Sequence, residues 1–261
     1  MSTVLLVELQ RALARRLLRL FLLLALLLIA AIVVGAFIRS NPDAANAFSP
    51  GDIYTTEENG SDVGFVGAMS LLFVPAGLLL GASFVGAEYR AGTITALLTW
   101  EPRRVRALSA KLVAAGLVAA GVFVVLELVL AAGLGAVAIV RGTTDGADAE
   151  FYRGMTGFVA RCALLTGGLS VLGACIALLG RNTTAALGAV FGYIIVVESV
   201  LRGFRPGWNA WFFLENFFIV LGGEEADDVT RSVTGAGLLL VSYLAVLVAA
   251  SMVTFVRRDV T

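Results

Sequence analysis

The stretch Leu17–Ile38, LLRLFLLLALLLIAAIVVGAFI, is an apolar run that is interrupted by one charge, Arg19. A transmembrane α-helix needs about 20 predominantly apolar residues, so this stretch alone predicts a membrane span. Basic residues precede it, and Ala45-Asn46-Ala47 resembles a signal-peptide cleavage site. The run is nevertheless too long for the apolar core of a signal peptide. We therefore expect it to be kept as the first transmembrane helix.

Further apolar runs follow along the chain, each bounded by charged or turn-forming residues. They cover about Gly64–Gly86, Leu112–Val140, Phe158–Leu179, Thr184–Leu201 and Gly235–Val256. The composition agrees, because 59% of the 261 residues are apolar, only 15% are charged, and the mean hydropathy is +0.93. Soluble domains carry about 25% charged residues. The sequence predicts an all-α integral membrane protein in which 1–261 form a single domain of six transmembrane helices.

The distribution of positive charge predicts how the helices are oriented, because cytoplasmic loops carry an excess of Lys and Arg. If both termini are cytoplasmic, the inner segments hold twelve of the 19 basic residues: Arg11, Arg15, Arg16, Arg19, Arg90, Arg103, Arg104, Arg106, Lys111, Arg181, Arg257 and Arg258. The mirror-image topology would place these residues outside. We therefore expect a multi-pass protein of the cell (plasma or inner) membrane with both termini in the cytoplasm.

The residues that support most catalytic and metal-binding sites are scarce in this chain. It has no His, and its two cysteines, Cys162 and Cys175, would lie about 20 Å apart on one helix, too far for a disulfide. The single lysine, Lys111, follows Ala110, so the chain contains no Gly-Lys-Ser/Thr phosphate loop. We expect no catalytic residue, no metal site, no cofactor in this chain and no nucleic-acid partner, and hence a protein that is not itself an enzyme.

Two segments outside the predicted spans carry apolar residues that membrane or protein must cover. Residues 1–16 predict an amphipathic interfacial helix on the inner membrane surface, although a simple extension of the first span fits too. Its apolar face holds Val4, Leu5, Leu9, Ala12 and Leu13, and its polar face holds Glu8, Gln10, Arg11 and Arg15. The outer loop 202–234 contains the aromatic-rich stretch Trp208–Leu221, which is too short to span a bilayer and too apolar for a free loop. It predicts a re-entrant or interfacial helix, whereas the turn-rich segment 39–62 predicts a solvated loop.

The sequence pattern of the cytoplasmic loop 87–111 predicts a second short helix. Thr93 can cap a helix that starts after the breaker Gly92 and ends before Pro102. Its apolar side would present Ile94, Leu97 and Leu98. Such a helix can enter a groove on a soluble partner. A helix that rests on lipid headgroups fits the same pattern.

The same loop carries a resemblance to a known family. Glu88-Tyr89-Arg90-Ala91-Gly92-Thr93, then Leu97-Leu98-Thr99, then Pro102-Arg103-Arg104 and finally Lys111 resemble the loop of ABC-2 type permeases. These permeases are the six-helix transmembrane subunits of ATP-binding cassette exporters. The resemblance implies a bacterial permease that forms a translocation pathway. It also implies a dimer with a second permease, identical or homologous, and two copies of a separate ATP-binding subunit that hold the ATP and Mg.

The resemblance also implies which residues dock onto the ATP-binding subunit. They are Glu88, Arg90, Gly92, Thr93, Ile94, Leu97 and Leu98. Glu88 and Arg90 would fix the loop by pairing with each other or with the partner. The alternative for this pair is an exposed ion pair worth under about 1 kcal/mol.

Two acids inside the predicted spans, Glu127 and Glu198, are candidates for the translocation path, because an ionisable group in a membrane indicates function by default. Glu198 lies four residues before Arg202, and an ion pair between them is the alternative. Glu127 lies on a face of mostly small residues, which should point into the bundle, with Arg161 as a contributor from the fourth helix. A neutral, hydrogen-bonded structural acid and a substrate or proton site both fit Glu127.

Small residues predict where helices approach closely, as Gly77 and Gly81 do in the second span and Gly188 and Gly192 do in the fifth. The second pair fits either a dimer interface or packing within the chain. Two other functions stay open besides an exporter subunit. An ion-driven secondary transporter would need discontinuous helices and charged midplane sites, and only two acids lie within the spans. A non-transporting sensor or assembly subunit of the same fold also fits.

Overall fold

The computed structural model describes residues 2–41, 47–54, 64–92, 103–223 and 231–257. Within these ranges the chain is all-α and contains no strand. The helices are α1 (Ser2–Leu13), α2 (Arg16–Arg39), α3 (Pro50–Ile53), α4 (Gly64–Ala91), α5 (Arg104–Arg141), α6 (Ala149–Gly180), α7 (Thr183–Phe204), α8 (Phe213–Gly222) and α9 (Val233–Arg257). Six of them, namely α2, α4, α5, α6, α7 and α9, are long and apolar enough to cross a membrane. The predicted all-α class and the six candidate spans are confirmed.

The helices extend beyond the apolar runs that predicted them. The 38 residues of α5 make it about 57 Å long, against a hydrocarbon core of about 30 Å. Helix α6 starts on Asp148, whose carboxylate accepts the backbone N–H groups of Glu150 and Phe151. Helix α7 is wound as a π-helix over Tyr193–Glu198. Such wide turns displace the side chains that follow them.

The core of the bundle is the contact between α4 and α6, which glycines bring close together. A methyl group on Gly81 would overlap the backbone of Ser170, and one on Gly77 would lie 2.5 Å from the carbonyl oxygen of Thr166. From the other side, Gly173 packs in the same way against Leu78. Because no side chain separates the two backbones, van der Waals contact is maximal where the hydrophobic effect cannot drive helix association.

Helices α2, α7 and α9 lie at the periphery and leave large apolar side chains uncovered. Leu23, Ile195 and Val241 are each more than half exposed. On α7, no atom of the described residues lies within 4 Å of a Cβ position on Gly188 or Gly192. Neither glycine therefore packs closely against the part of the chain that the structure describes, which leaves the dimer-interface prediction for the pair open.

Both ends of the bundle are fixed by polar contacts. Helix α1 and the end of α9 lie at one end, named here the terminal end, where the Arg104 guanidinium donates to the carbonyl oxygen of Val256 over 3.2 Å. At the opposite end, the Ser40 hydroxyl donates to the carbonyl oxygen of Arg141. There the Thr143 backbone N–H donates to the carbonyl oxygen of Phe48 over 2.9 Å.

Part of the segment that was predicted as a solvated loop is packed against the bundle. In its described residues 47–54, Ile53 and Tyr54 are both buried. The Tyr54 ring lies 5.5 Å from that of Phe158, and it also contacts Phe151. The turn-forming residues gave the location of the connection correctly. They do not predict that the buried ring of Tyr54 packs this connection against α6.

Replacement of Gly81 by Ala should destabilise the bundle, because the new methyl group overlaps the Ser170 backbone. Overpacking of this kind costs about 1–3 kcal/mol. Gly188→Ala is the matched control, since it adds the same methyl group to a helix at an open position. Thermal unfolding of the purified protein in detergent measures the difference. Equal melting temperatures for the two variants would contradict the close packing of α4 on α6.

Candidate functional site

A cluster of buried charges joins three helices at the terminal end. The Lys111 ammonium on α5 donates to Glu8 Oε2 on α1 over 2.7 Å and to Glu88 Oε1 on α4 over 2.8 Å. Lys111 is 3% exposed and Glu8 is 1% exposed, so water does not solvate these charges. One cation thus pairs with two carboxylates, and the three side chains come from three different helices.

Arg11, at the exposed edge of the cluster, pairs with Glu8 Oε1 at 3.3 Å. Arg15, in the turn between α1 and α2, is a further, partly buried cation of the cluster. Its guanidinium donates to the carbonyl oxygen of Ser83 over 2.7 Å and to Glu88 Oε1 over 3.3 Å. The aromatic ring of Phe84 lies under both cations, 4.6 Å from the Arg15 guanidinium carbon and 4.9 Å from the Lys111 nitrogen. Burial lowers the pKa of Arg15, and the carboxylates of Glu88 and Glu8 oppose that shift. The cluster therefore holds cations and anions in near balance.

The cluster changes the expected role of α1. The sequence assigned Glu8 to a polar face, yet Glu8 and Ala12 point into the bundle, and Ala12 packs with Phe84 and Ala115. Leu6 and Leu13 are more than half exposed on other sides of the helix. Helix α1 is thus a docked part of the bundle, and its buried ion pair decides which face points inward.

The residues predicted to dock onto a partner divide into two groups. Glu88 belongs to the buried cluster, where it pairs with Lys111 and Arg15 rather than with Arg90. Arg90 is exposed at the end of α4. Gly92 has a φ of +66°, a left-handed conformation that favours glycine, directly after the end of α4. The predicted cap and anchors, Thr93, Ile94, Leu97 and Leu98, lie outside the described residues.

Glu127 lies inside the bundle, on the face that its small neighbours indicate. It is 1% exposed, and the Ser70 hydroxyl of α4 donates to its Oε1 over 3.1 Å. The other carboxylate oxygen has no hydrogen-bond partner among the described residues. Arg161 forms no ion pair with it. A buried carboxylate with one hydrogen bond fits a neutral acid better than a charged one.

Glu198 does not form the predicted ion pair with Arg202. Its carboxylate instead accepts the backbone N–H groups of Phe213, over 2.7 Å, and Leu214, over 3.2 Å, and so caps the start of α8. Arg202 pairs with Glu215 at 3.0 Å. A helix N-terminus offers a carboxylate unpaired N–H groups and a favourable dipole. An exposed ion pair is worth less than such a buried cap.

A large apolar groove opens between the peripheral helices and the core. Its volume is about 460 Å³, and its walls come from α2, α4, α6, α7 and α8. They include Phe21, Leu28, Leu72, Pro75, Phe191 and Phe217. Neither Glu127 nor Glu198 lines this groove. A translocation path through it would therefore contact apolar groups rather than the two intramembrane acids.

The described residues hold no group of three or more His, Cys, Asp or Glu side chains that could bind a metal ion. Cys162 and Cys175 are free and buried. In comparisons with known proteins, the chain matches no protein-family model and no curated protein.

Lys111→Met should destabilise the terminal end, because it leaves Glu8 and Glu88 buried with a reduced counter-charge. Breaking a buried pair by removing one partner costs about 3–5 kcal/mol. Restoring balance with Glu8→Gln in the same chain should recover most of that loss, because Glu88 still pairs with Arg15. Thermal unfolding in detergent measures each variant, and Arg153→Gln, at an exposed position, is the control. A double variant less stable than Lys111→Met would contradict the pairing.

Proposed function

We propose that this chain is the permease subunit of an ATP-binding cassette exporter of the ABC-2 type. Two permeases, identical or homologous, would form the translocation pathway, and two separate ATP-binding subunits would supply the energy. The loop sequence from Glu88 to Lys111 supports the family assignment. The six candidate spans support the architecture.

The observation that carries the proposal is the buried charge cluster at the terminal end. The segment between α4 and α5 is the predicted docking loop, and Glu88 and Lys111 lie on the two helices that flank it. Their ion pair connects the two helices on either side of the loop. Glu8 ties α1 to the same ion pair. A force applied to the loop therefore moves α1, α4 and α5 together.

Such a rigid attachment is what mechanical coupling requires. Closure of an ATP-binding pair does work on a permease only if the loop makes different contacts in two states of the bundle. A loosely tethered loop would move without the helices. The cluster resists this, because separating Lys111 from its carboxylates leaves charges buried without partners.

The peripheral helices supply the part that moves. Helix α7 makes few contacts within the chain beyond its first turns, and the groove of about 460 Å³ separates it from α2 and α4. A second permease would pack on the open face at Gly188 and Gly192, next to the residues of α7 that line the groove. Small residues on this face allow close approach of a second backbone. Glu127 remains a candidate for a proton or substrate site deeper in the bundle.

Leu97→Asp should uncouple the chain from its ATP-binding partner without preventing membrane insertion. A charge placed in a docking groove is buried without a counter-charge and costs several kcal/mol. Val105→Asp is the matched control, because Val105 is an exposed apolar residue in the first turn of α5, outside the predicted docking helix. Tagged variants are purified from membranes of the native host, and the ATP-binding subunit is identified in each eluate by mass spectrometry and ATP hydrolysis.

The expected result is loss of the ATP-binding subunit with Leu97→Asp and its retention with Val105→Asp. Equal recovery with both variants would contradict the docking site. If no ATP-binding cassette subunit accompanies the wild-type protein after cross-linking, the proposed function itself is wrong.

The orientation of the bundle is tested by accessibility of single cysteines. In a background lacking Cys162 and Cys175, Thr55→Cys and Thr230→Cys should react with a membrane-impermeant thiol reagent on intact cells. Ser109→Cys and Thr261→Cys should react only after the cells are opened. Labelling of Ser109→Cys from outside would invert the topology.

A further inference from the structure

Arg161 is an unusual residue in the fourth candidate span, α6. The predicted apolar run of this helix begins at Phe158, so Arg161 lies only about 5 Å inside the apolar region. Its Nε atom is buried and has no hydrogen-bond partner among the described residues. No described acid forms an ion pair with it. A guanidinium in this position is costly unless an anion compensates it.

The end of α8 covers one side of Arg161 but does not neutralise it. Gly223 has a φ of +82° and lies so close that a Cβ there would touch the guanidinium. Glycine thus leaves room for the cation, which sits beside the C-terminal end of α8. That end carries a partial negative charge. This helix end stabilises the cation weakly and supplies no carboxylate.

An apolar groove starts at Arg161 and runs along the bundle. Its volume is about 220 Å³, and it lies between α6, α8 and α9. Apart from Arg161, its walls are apolar side chains and glycines, including Leu164, Gly168, Val220, Leu240 and Val241. Leu164 and Val241 are strongly exposed, so the groove is open to the surrounding membrane.

We propose that Arg161 and this groove form a binding site for an anionic glycerophospholipid. The phosphate would accept hydrogen bonds from the guanidinium, whose planar fork suits phosphate oxygens. One acyl chain would lie along the groove between α6 and α9. The position favours this occupant over a soluble anion, because Arg161 sits just inside the apolar region and can extend its head to the level of lipid phosphates. One bound lipid then supplies an anion to Arg161 and an acyl chain to the apolar groove.

Purified full-length protein in detergent tests the site by thermal unfolding. Phosphatidylglycerol in mixed micelles should raise the melting temperature of the wild type, whereas phosphatidylcholine at the same concentration should raise it less. Arg161→Gln should weaken the apparent affinity for phosphatidylglycerol about tenfold or more, the value of one charged hydrogen bond. Arg153→Gln, on the exposed side of the same helix, should leave it unchanged.

The variants also separate the headgroup from the acyl chain. Gly168→Leu should fill the groove and weaken phosphatidylglycerol binding while Arg161 remains, because among the described residues a Cβ there meets only Leu244, at 3.9 Å. Gly121→Leu is its control at an exposed, open position of α5. Arg161→Lys keeps the positive charge and is the test variant if Arg161→Gln does not fold. It should retain stabilisation by phosphatidylglycerol more fully than Arg161→Gln.

Three results would overturn the proposal. Equal stabilisation of the wild type and Arg161→Gln by phosphatidylglycerol would remove Arg161 from the site. Equal stabilisation by inorganic phosphate and by phosphatidylglycerol would identify a soluble anion as the ligand. The acids Glu224, Glu225, Asp227 and Asp228 follow Gly223 in the sequence and lie outside the described residues. Binding of phosphatidylglycerol that appears only when these four acids are neutralised, with Arg161 intact, would assign its counter-charge to the protein.

Discussion

The buried cation Lys111 is the point on which the arrangement of the terminal end depends. A charge out of water is tolerated only with partners at short range, and Lys111 has Glu8 and Glu88 at 2.7 and 2.8 Å. The three residues come from α1, α5 and α4, so satisfying one charge fixes three helices. Buried ion pairs are weak evidence for stability, but one that must be satisfied can select a single arrangement among several. An apolar α1 could dock in several rotations, whereas Glu8 permits one.

The spans could be predicted from the sequence because the bilayer imposes a length and a composition that are visible locally. The cluster could not, since Glu8 and Lys111 are separated by 103 residues and helical periodicity does not say which helix a face will meet. Glu8 fitted a polar face, and Lys111 fitted a positively charged loop end. A useful signal was present nonetheless. Lys111 stands between Ala110 and Leu112 in a helix whose neighbouring positions are nearly all apolar.

The error at Glu198 has a different origin. The pairing rule for residues four apart considers one helix alone and ignores competitors from other helices. Here α8 offers two backbone N–H groups to the same carboxylate. Small residues predicted helix packing better, because two helix backbones can approach closely only where no side chain lies between them. Gly81 marks such a contact, whereas Gly188 marks an open surface.

Two arginines show how the surroundings of one residue type decide its role. Arg15 donates to a carbonyl group and to a carboxylate and lies on an aromatic ring, so the fold supplies its partners. Arg161 has an apolar groove and a helix end beside it, and the described residues supply no anion. The first arrangement is closed and explains rigidity within the chain. The second is open, and because a guanidinium keeps its charge in proteins, its balance must come from beyond the described bundle.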